Sequence, residues 1–188
     1  MYYILISLYF IHVATFNQDI CIMTETLQFL NEFGVDALSK KNIKVARIES
    51  KNVWVLNYEQ VESSKDGFRK QHPINRQCRN LIVRDQPWRI VSQSFRRFFN
   101  WGEDVEETKN MIEQMEKGKV TAREKFDGSL ITVTHFDGQW NIFTRGAEAD
   151  GNPFRGMGSS FGTAENDTST FGSRVRQHVN MNELDTGI

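Results

Sequence analysis

The sequence of 188 residues is poor in the residues that mark specialised protein classes. Its three prolines and thirteen glycines exclude collagen-like and proline-rich chains. Its two cysteines, Cys21 and Cys78, lie far apart, with no CxxC pair and no paired histidines, so neither a zinc site nor a disulfide framework is indicated. A reducing cytoplasm is therefore the simplest compartment. With 39% hydrophobic residues, the chain can bury the core of one globular domain.

The sequence also lacks an apolar run long enough to span a bilayer, and we expect no membrane partner. Residues 2–16 are almost wholly apolar, but a spanning helix needs roughly 20 such residues. The run resembles the core of a signal peptide, yet no Lys or Arg precedes it and no small-x-small cleavage site follows it. We interpret residues 1–22 as an apolar extension without a catalytic part and place the domain at residues 23–188.

Three helices are predicted in this domain. Thr24 can act as the N-cap of the first, which Gly34 ends after apolar residues at helical spacing. Residues 104–117 carry an apolar face and a Glu113–Lys117 pair, and a short helix follows at residues 173–184. The apolar residues of the first helix are Leu27, Leu30 and Phe33.

Antiparallel strands are predicted for much of the remaining chain. β-rich runs fall within residues 44–58, at residues 80–84 and, after a Pro-Trp turn, at residues 89–91. Residues 120–145 have the pattern of a meander whose strands are joined by two Asp-Gly turns. The phenylalanines of residues 94–103 are expected to point into the core. Strands mixed with separate helices predict an α+β fold.

Charge is unevenly distributed along the chain. The net charge of -1 would by itself argue against a nucleic-acid partner. However, residues 1–39 and residues 126–188 each carry -4, whereas residues 40–125 carry +7. Seven arginines fall within residues 69–97, and arginine forks suit phosphate groups. A solvated charged face is the alternative interpretation of such a run.

Residues 124–130 (EKFDGSL) form the segment most suited to chemistry. Lys125 precedes an Asp-Gly turn, where the glycine lets the backbone come close to a bound nucleotide. A lysine amine has a reference pKa of about 10.4 and becomes nucleophilic when desolvation or neighbouring cations lower that pKa. Such an amine can attack the α-phosphorus of a nucleoside triphosphate. A surface lysine beside an ordinary hairpin is the alternative for this segment alone.

Three segments together give a specific resemblance. Residues 125–130 (KFDGSL) are similar to the nucleotidyl-lysine motif of covalent nucleotidyltransferases, and the Ser-Leu pair resembles that of ATP-dependent RNA ligases of the phage RNA ligase 1 type. Residues 78–83 (CRNLIV) resemble that family's CRG strand, and residues 95–103 (FRRFFNWGE) resemble its KFFN-x-x-E segment. The segments follow the family's order and spacing, and the resemblance covers roughly residues 24–150.

The resemblance implies a nucleotidyltransferase (ATP-grasp-like) domain with antiparallel sheets and an ATP-dependent RNA ligase activity that repairs or seals RNA. Lys125 would take AMP from ATP and pass it to an RNA 5′-phosphate, after which a 3′-hydroxyl would displace AMP, with Mg²⁺ bridging the phosphates. Arg97 stands where the family usually has lysine, which keeps the charge but changes its geometry. The residues that the resemblance assigns to nucleotide binding are Arg79, Arg97, Glu124, Gly128 and Arg145.

The family's later elements do not occur in this sequence. They are an F-E strand, an E-G strand and a final K-x-K, whereas residues 183–188 resemble only the approach to the first of them. We therefore expect the front part of a ligase, incomplete at its C-terminus, whose remaining portion another chain could supply. No metal ligand is assigned.

Two other functions stay open at this point. A capping guanylyltransferase or a DNA ligase shares the KxDG pattern, although the Ser-Leu pair that follows argues against most of them. An inactive RNA-binding remnant would account for the missing elements.

Overall fold

The computed structural model describes residues 2–7, 10–15, 25–59, 73–120, 129–151 and 169–184, and it has an α+β architecture with antiparallel strands. In chain order the elements are β1 (Tyr2–Ser7), β2 (Phe10–Thr15), α1 (Glu25–Phe33), β3 (Ile43–Ile48), β4 (Val53–Tyr58), α2 (Pro73–Gln77), β5 (Arg79–Arg84), β6 (Arg89–Gln93), α3 (Val105–Glu116), β7 (Ser129–Phe136), β8 (Gln139–Phe143) and α4 (Phe171–His178). Short 3-10 helices occupy Asp36–Lys41, Glu49–Lys51 and Met181–Glu183.

One sheet has the strand order β3-β4-β5-β6 and packs against α1. Leu56 of β4 and Leu81 of β5 are fully buried there, and α1 adds Leu27 and Leu30. Phe33, the third apolar residue at helical spacing, is 56% exposed and lies outside this core. Cys78 lies in the same core as a free thiol, and burial raises its pKa to about 12. This face of the sheet is therefore closed by the first helix.

The other sheet has the strand order β2-β1-β7-β8. β1 pairs with both β2 and β7, so the apolar N-terminal run forms a hairpin beside β7. The assignment of residues 1–22 to an extension outside the domain stays a prediction. Ile131 and Ile142 pack against Val175 of α4 in this sheet's own core. No helix among the described residues has the length and apolar character needed to cross a membrane.

The two sheets pack against each other through Phe143. This fully buried ring at the end of β8 contacts a cluster formed by Val53 and Val55 of β4 and Ile82 of β5. At the rim of the junction, the two terminal guanidinium nitrogens of Arg84 donate to the Asp137 carboxylate, at 2.6 and 2.9 Å. The ends of β4, β5 and β8 are thereby held close together.

Most of the sequence-predicted elements that fall on described residues are confirmed. β4, β5, β6 and the β7–β8 hairpin with its Asp137-Gly138 turn form as expected. The helix predicted at residues 173–184 forms as α4 at Phe171–His178, with a separate 3-10 helix at Met181–Glu183. β3 was not predicted as a separate strand. It lies at the edge of its sheet and, among the described strands, pairs with β4 alone. Thr24, the loop around Gly67 and the turn at residues 127–128 lie outside the described residues.

Residues 94–103 differ from expectation. Phe95 is 39% exposed and Phe98 is 56% exposed, so the prediction that these phenylalanines point into the core was wrong. The buried clusters of the described residues are built from strands and helices and from Cys78, Ala149 and Val179, and this segment contributes to none of them. The sequence argument treated aromatic character as burial, but among the described phenylalanines Phe143 is fully buried, whereas Phe95 and Phe98 are exposed.

Helix α3 forms where predicted. The Asp104 side chain accepts a hydrogen bond from the Glu107 amide at 3.0 Å as the N-cap, and Gly118 follows the helix with φ +64°. The predicted Glu113–Lys117 pair is present at 3.8 Å. None of the helix residues is buried, so its apolar face is open to solvent.

Candidate functional site

Two arginines from different elements lie against the ring of Tyr58. The guanidinium carbon of Arg97 lies 4.5 Å from the ring centroid and that of Arg145 lies 4.9 Å from it. Tyr58 ends β4, Arg145 follows β8, and Arg97 belongs to the segment after β6. A phenol ring attracts guanidinium groups through its negative face. The ring therefore gathers two positive charges at the junction of the sheets.

A third arginine, Arg79, begins β5 beside this pair. The antiparallel register of β4 and β5 sets Arg79 opposite Asn57, next to Tyr58, and the register shifts between Leu56 and Asn57. The guanidinium carbon of Arg79 lies 4.7 Å from the ring centroid of Phe98. Arg79, the arginine of the CRNLIV segment, thus lies in the same region as Arg97 and Arg145.

Asn57 and Asn80 fix the backbone around these arginines. The Asn57 side chain donates to the carbonyl of Arg145 at 2.8 Å and accepts from the amide of Asn80 at 2.8 Å. The Asn80 amide, in the orientation that satisfies both of its ends, donates to the carbonyls of Thr144 and Arg145 and accepts from Thr132. Asn80 adopts φ +52°, which asparagine tolerates better than most residues. These bonds tie β5 to β7 and to the chain after β8.

The electrostatics of Arg79 indicate an anion site. Burial lowers the pKa of the Arg79 guanidinium; the Tyr58 hydroxyl acts in the opposite direction, and the positive charge of Arg145 lowers it further. One of its terminal nitrogens, Nη1, is buried without a hydrogen-bond partner among the described residues. An unpaired buried donor is costly, and a charged phosphate oxygen is the acceptor that guanidinium binds best. The arrangement therefore fits a phosphate-bearing ligand.

A cleft of about 360 Å³ opens beside these groups. Arg79, Ser94, Ser129, Arg145 and Phe171 are among the residues that line it. A second cleft, of about 540 Å³, shares Arg145 and is lined also by Tyr58 and Lys44. Arg145 therefore stands between two concave surfaces, each of a size that accommodates a small ligand.

The structure brings together three of the predicted site residues, namely Arg79, Arg97 and Arg145. Lys125, Glu124 and Gly128 lie outside the described residues. The described part of the chain holds no group of three or more His, Cys, Asp or Glu side chains suited to a metal. The Mg²⁺ that the family resemblance implies stays a prediction.

Sequence reasoning missed Tyr58, Asn57, Asn80 and Phe98. Leu56, two residues before Tyr58, is completely buried. The sequence did offer one signal. Strand β4 is apolar up to Leu56 and ends in the polar pair Asn57-Tyr58, which marks the point where the strand leaves the core. The pairing of Tyr58 with arginines distant in sequence had no local signal.

The comparisons with known proteins agree on one family, the RNA ligases. A family model described as RNA ligase matches residues 77–184, which is more than half of the chain. A protein of Autographa californica nuclear polyhedrosis virus, named as a bifunctional polynucleotide kinase/RNA ligase, is 34% identical over 134 residues, covering 66% of this chain and 18% of that protein. No solved structure matches the chain with significance.

Two further relatives agree. A Thermovibrio ammonificans protein named as an RNA ligase is 34% identical over 74 residues, covering 39% of this chain and 18% of that protein. An RNA ligase of Rhodothermus phage RM378 is 33% identical over 88 residues, covering 37% of this chain and 20% of that protein. The chain therefore spans about a fifth of the length of these relatives.

Proposed function

Because the chain belongs to the RNA ligase family of the phage RNA ligase 1 type, we propose that it supplies the adenylyltransferase part of an ATP-dependent RNA ligase. The observation that carries this proposal is the convergence of Arg79, Arg97 and Arg145 around Tyr58 and Phe98. Three cationic forks in one place match the charge of a triphosphate.

The nucleophile in this proposal is Lys125. It precedes Ser129 by four residues, and Ser129 lines the cleft with Arg79 and Arg145. A chain of four residues spans at most about 14 Å, so the proposal requires the chain before Ser129 to run toward the arginines. Their positive charge would lower the pKa of its amine and increase the neutral, reactive fraction.

The reaction would then proceed in three steps. The neutral Lys125 amine attacks the α-phosphorus of ATP, the phosphoanhydride bond breaks, pyrophosphate leaves, and the amine gives up a proton. The adenylyl group next passes to the 5′-phosphate of an RNA strand and regenerates the lysine. A 3′-hydroxyl finally attacks that activated 5′-phosphate, forms the phosphodiester and releases AMP. The arginines hold phosphates throughout and take no part in bond making.

The proposal is tested by incubating the 188-residue protein with α-labelled ATP in buffer containing Mg²⁺ and measuring label bound to the chain. We expect acid-labile label on the wild type and none on Lys125→Ala. Lys119→Ala is the matched control, because it removes an exposed lysine six residues earlier in the chain. Its label should equal that of the wild type.

The same assay separates the rivals. Label from GTP in place of ATP would indicate a capping guanylyltransferase. Absence of label with either nucleotide, from a chain whose circular dichroism shows it folded, would contradict the adenylyltransferase proposal and favour a binding role.

A further inference from the structure

Three exposed aromatic side chains follow strand β6 within seven residues of chain. Phe95 is 39% exposed, Phe98 is 56% exposed and Trp101 is 67% exposed. Among the described residues, only Phe33 is a further phenylalanine or tryptophan of comparable exposure. We call these three side chains the aromatic ledge. Three exposed aromatic rings so close in sequence are typical of an interaction site.

The backbone beneath the aromatic ledge is held by specific hydrogen bonds. The amide of Arg97 donates to the carbonyl of Arg76 at 2.8 Å, and the amide of Asn100 donates to the Glu103 carboxylate at 3.1 Å. The amide of Gly102 donates to the Thr108 hydroxyl at 3.1 Å. The rings are therefore presented by a fixed strand of chain, which reduces the entropy lost when a ligand binds.

The aromatic ledge adjoins the arginine cluster. The Arg79 guanidinium carbon lies 4.7 Å from the Phe98 centroid, while more than half of that side chain remains exposed. A flat ring stacked on the exposed part of Phe98 would add to the arginine already packed against it. The ledge thus extends the phosphate-binding surface outward rather than forming a separate patch.

The charges beside the ledge favour an anionic partner. Arg96 is exposed and makes no ion pair with the described part of the chain. The nearest acidic groups are largely engaged, since Asp104 and Glu107 pair with Arg76 at 2.7 and 2.9 Å. Glu103 accepts hydrogen bonds from the backbone and side chain of Asn100. Exposed rings interleaved with arginine match a single-stranded nucleic acid, in which bases stack and phosphates pair with cations.

We infer that the aromatic ledge binds single-stranded RNA by base stacking, an inference that rests on the proposed ligase function. Phe95, Phe98 and Trp101 are spaced three residues apart, a distance of at most about 11 Å along the chain, so each can receive its own base. Stacking accepts any base, and binding would be tolerant of sequence. Duplex RNA would bind more weakly, because its bases are already stacked on each other.

The test measures affinity for a fluorescently labelled twelve-nucleotide single-stranded RNA by anisotropy, without ATP and without Mg²⁺. Under these conditions no adenylate can form, so the result does not depend on whether Lys125 is labelled. We expect Phe98→Ala and Trp101→Ala each to weaken RNA binding by about 5- to 150-fold, the range found for loss of one stacking ring. Phe33→Ala is the matched control, because Phe33 is also 56% exposed but belongs to α1. Its affinity should stay within twofold of the wild type.

A conservative variant distinguishes stacking from a structural role. Trp101→Phe should keep most of the RNA affinity, since it retains a ring, while RNA should quench the fluorescence of the three remaining tryptophans less than that of the wild type. If Phe98→Ala and Trp101→Ala bind RNA as tightly as the wild type, the inference is overturned. The same holds if these variants change only the oligomeric state seen by sedimentation, because the ledge would then be a protein interface.

Discussion

The guanidinium carbon of Arg97 lies 4.5 Å from the centre of the Tyr58 ring, although the two residues belong to different elements. Arg145 lies against the same ring at 4.9 Å. The positive charges of Arg97 and Arg145 repel each other, and the attraction of both guanidinium groups to the Tyr58 ring offsets that repulsion. We therefore expect Tyr58 to position the arginines that are proposed to bind phosphate.

Replacing Tyr58 by leucine should weaken ATP binding. A cation–π contact at a partly desolvated site contributes about 0.5–2 kcal/mol, equivalent to about 2- to 30-fold in Kd. Tyr58→Phe keeps the ring and should bind ATP within about twofold of the wild type. Isothermal titration calorimetry with both variants checks this. Equal affinities for leucine and phenylalanine would show that the ring has no such role.

The arginines themselves should govern ATP affinity. Arg97→Ala removes a charge-assisted contact worth about 1.5–3 kcal/mol, which corresponds to about 10- to 150-fold in Kd. Arg97→Lys, which restores the residue usual in the family, should lose less, because a phosphate accepts lysine as a point charge. Arg89→Ala removes an exposed arginine of β6 and serves as the control. Unchanged ATP affinity in Arg97→Ala and Arg79→Ala would contradict the assignment.

Asp104 should give the protein an acid-sensitive contribution to stability. A hydrogen bond from the Glu107 amide and the neighbouring Arg76 guanidinium hold the pKa of Asp104 below its usual value of 3.8. The stabilisation is therefore fully present above about pH 4 and is lost as the pH falls through the folded-state pKa. Asp104→Ala should lower the free energy of unfolding by about 0.5–2 kcal/mol at neutral pH through loss of the N-cap.

Asp104→Asn separates the cap from the charge. Asparagine caps helices about as well as aspartate, so the variant keeps the helix start but loses the ion pair with Arg76. Urea unfolding from pH 7 to pH 3 should show a smaller loss of stability in this variant than in the wild type. Parallel pH profiles for the two proteins would place the acid sensitivity elsewhere.

Local patterns predicted the elements, because their signals lie within a few residues. The Asp137-Gly138 turn and the helix that starts at Asp104 depend on backbone conformation and capping, and both are confirmed. The arginine cluster was predictable only through the family's motifs. Tyr58 and the exposed Phe98 were not predictable, since their surroundings depend on how β4, β5 and the segment after β6 meet in three dimensions. Hydrophobicity alone cannot distinguish an aromatic side chain that is buried in the core from one that is exposed at a binding surface.

The buried ring of Phe143 also has a consequence for folding. Arg79 and Arg97 are attached to one sheet, whereas Arg145 follows Phe143 by two residues on the other. The three charges can meet only after the sheets have docked, so a chain with one sheet formed would lack the cluster. A nucleotide that contacts both sheets would then bind only the docked state, and its binding would raise the free energy needed to separate the two sheets.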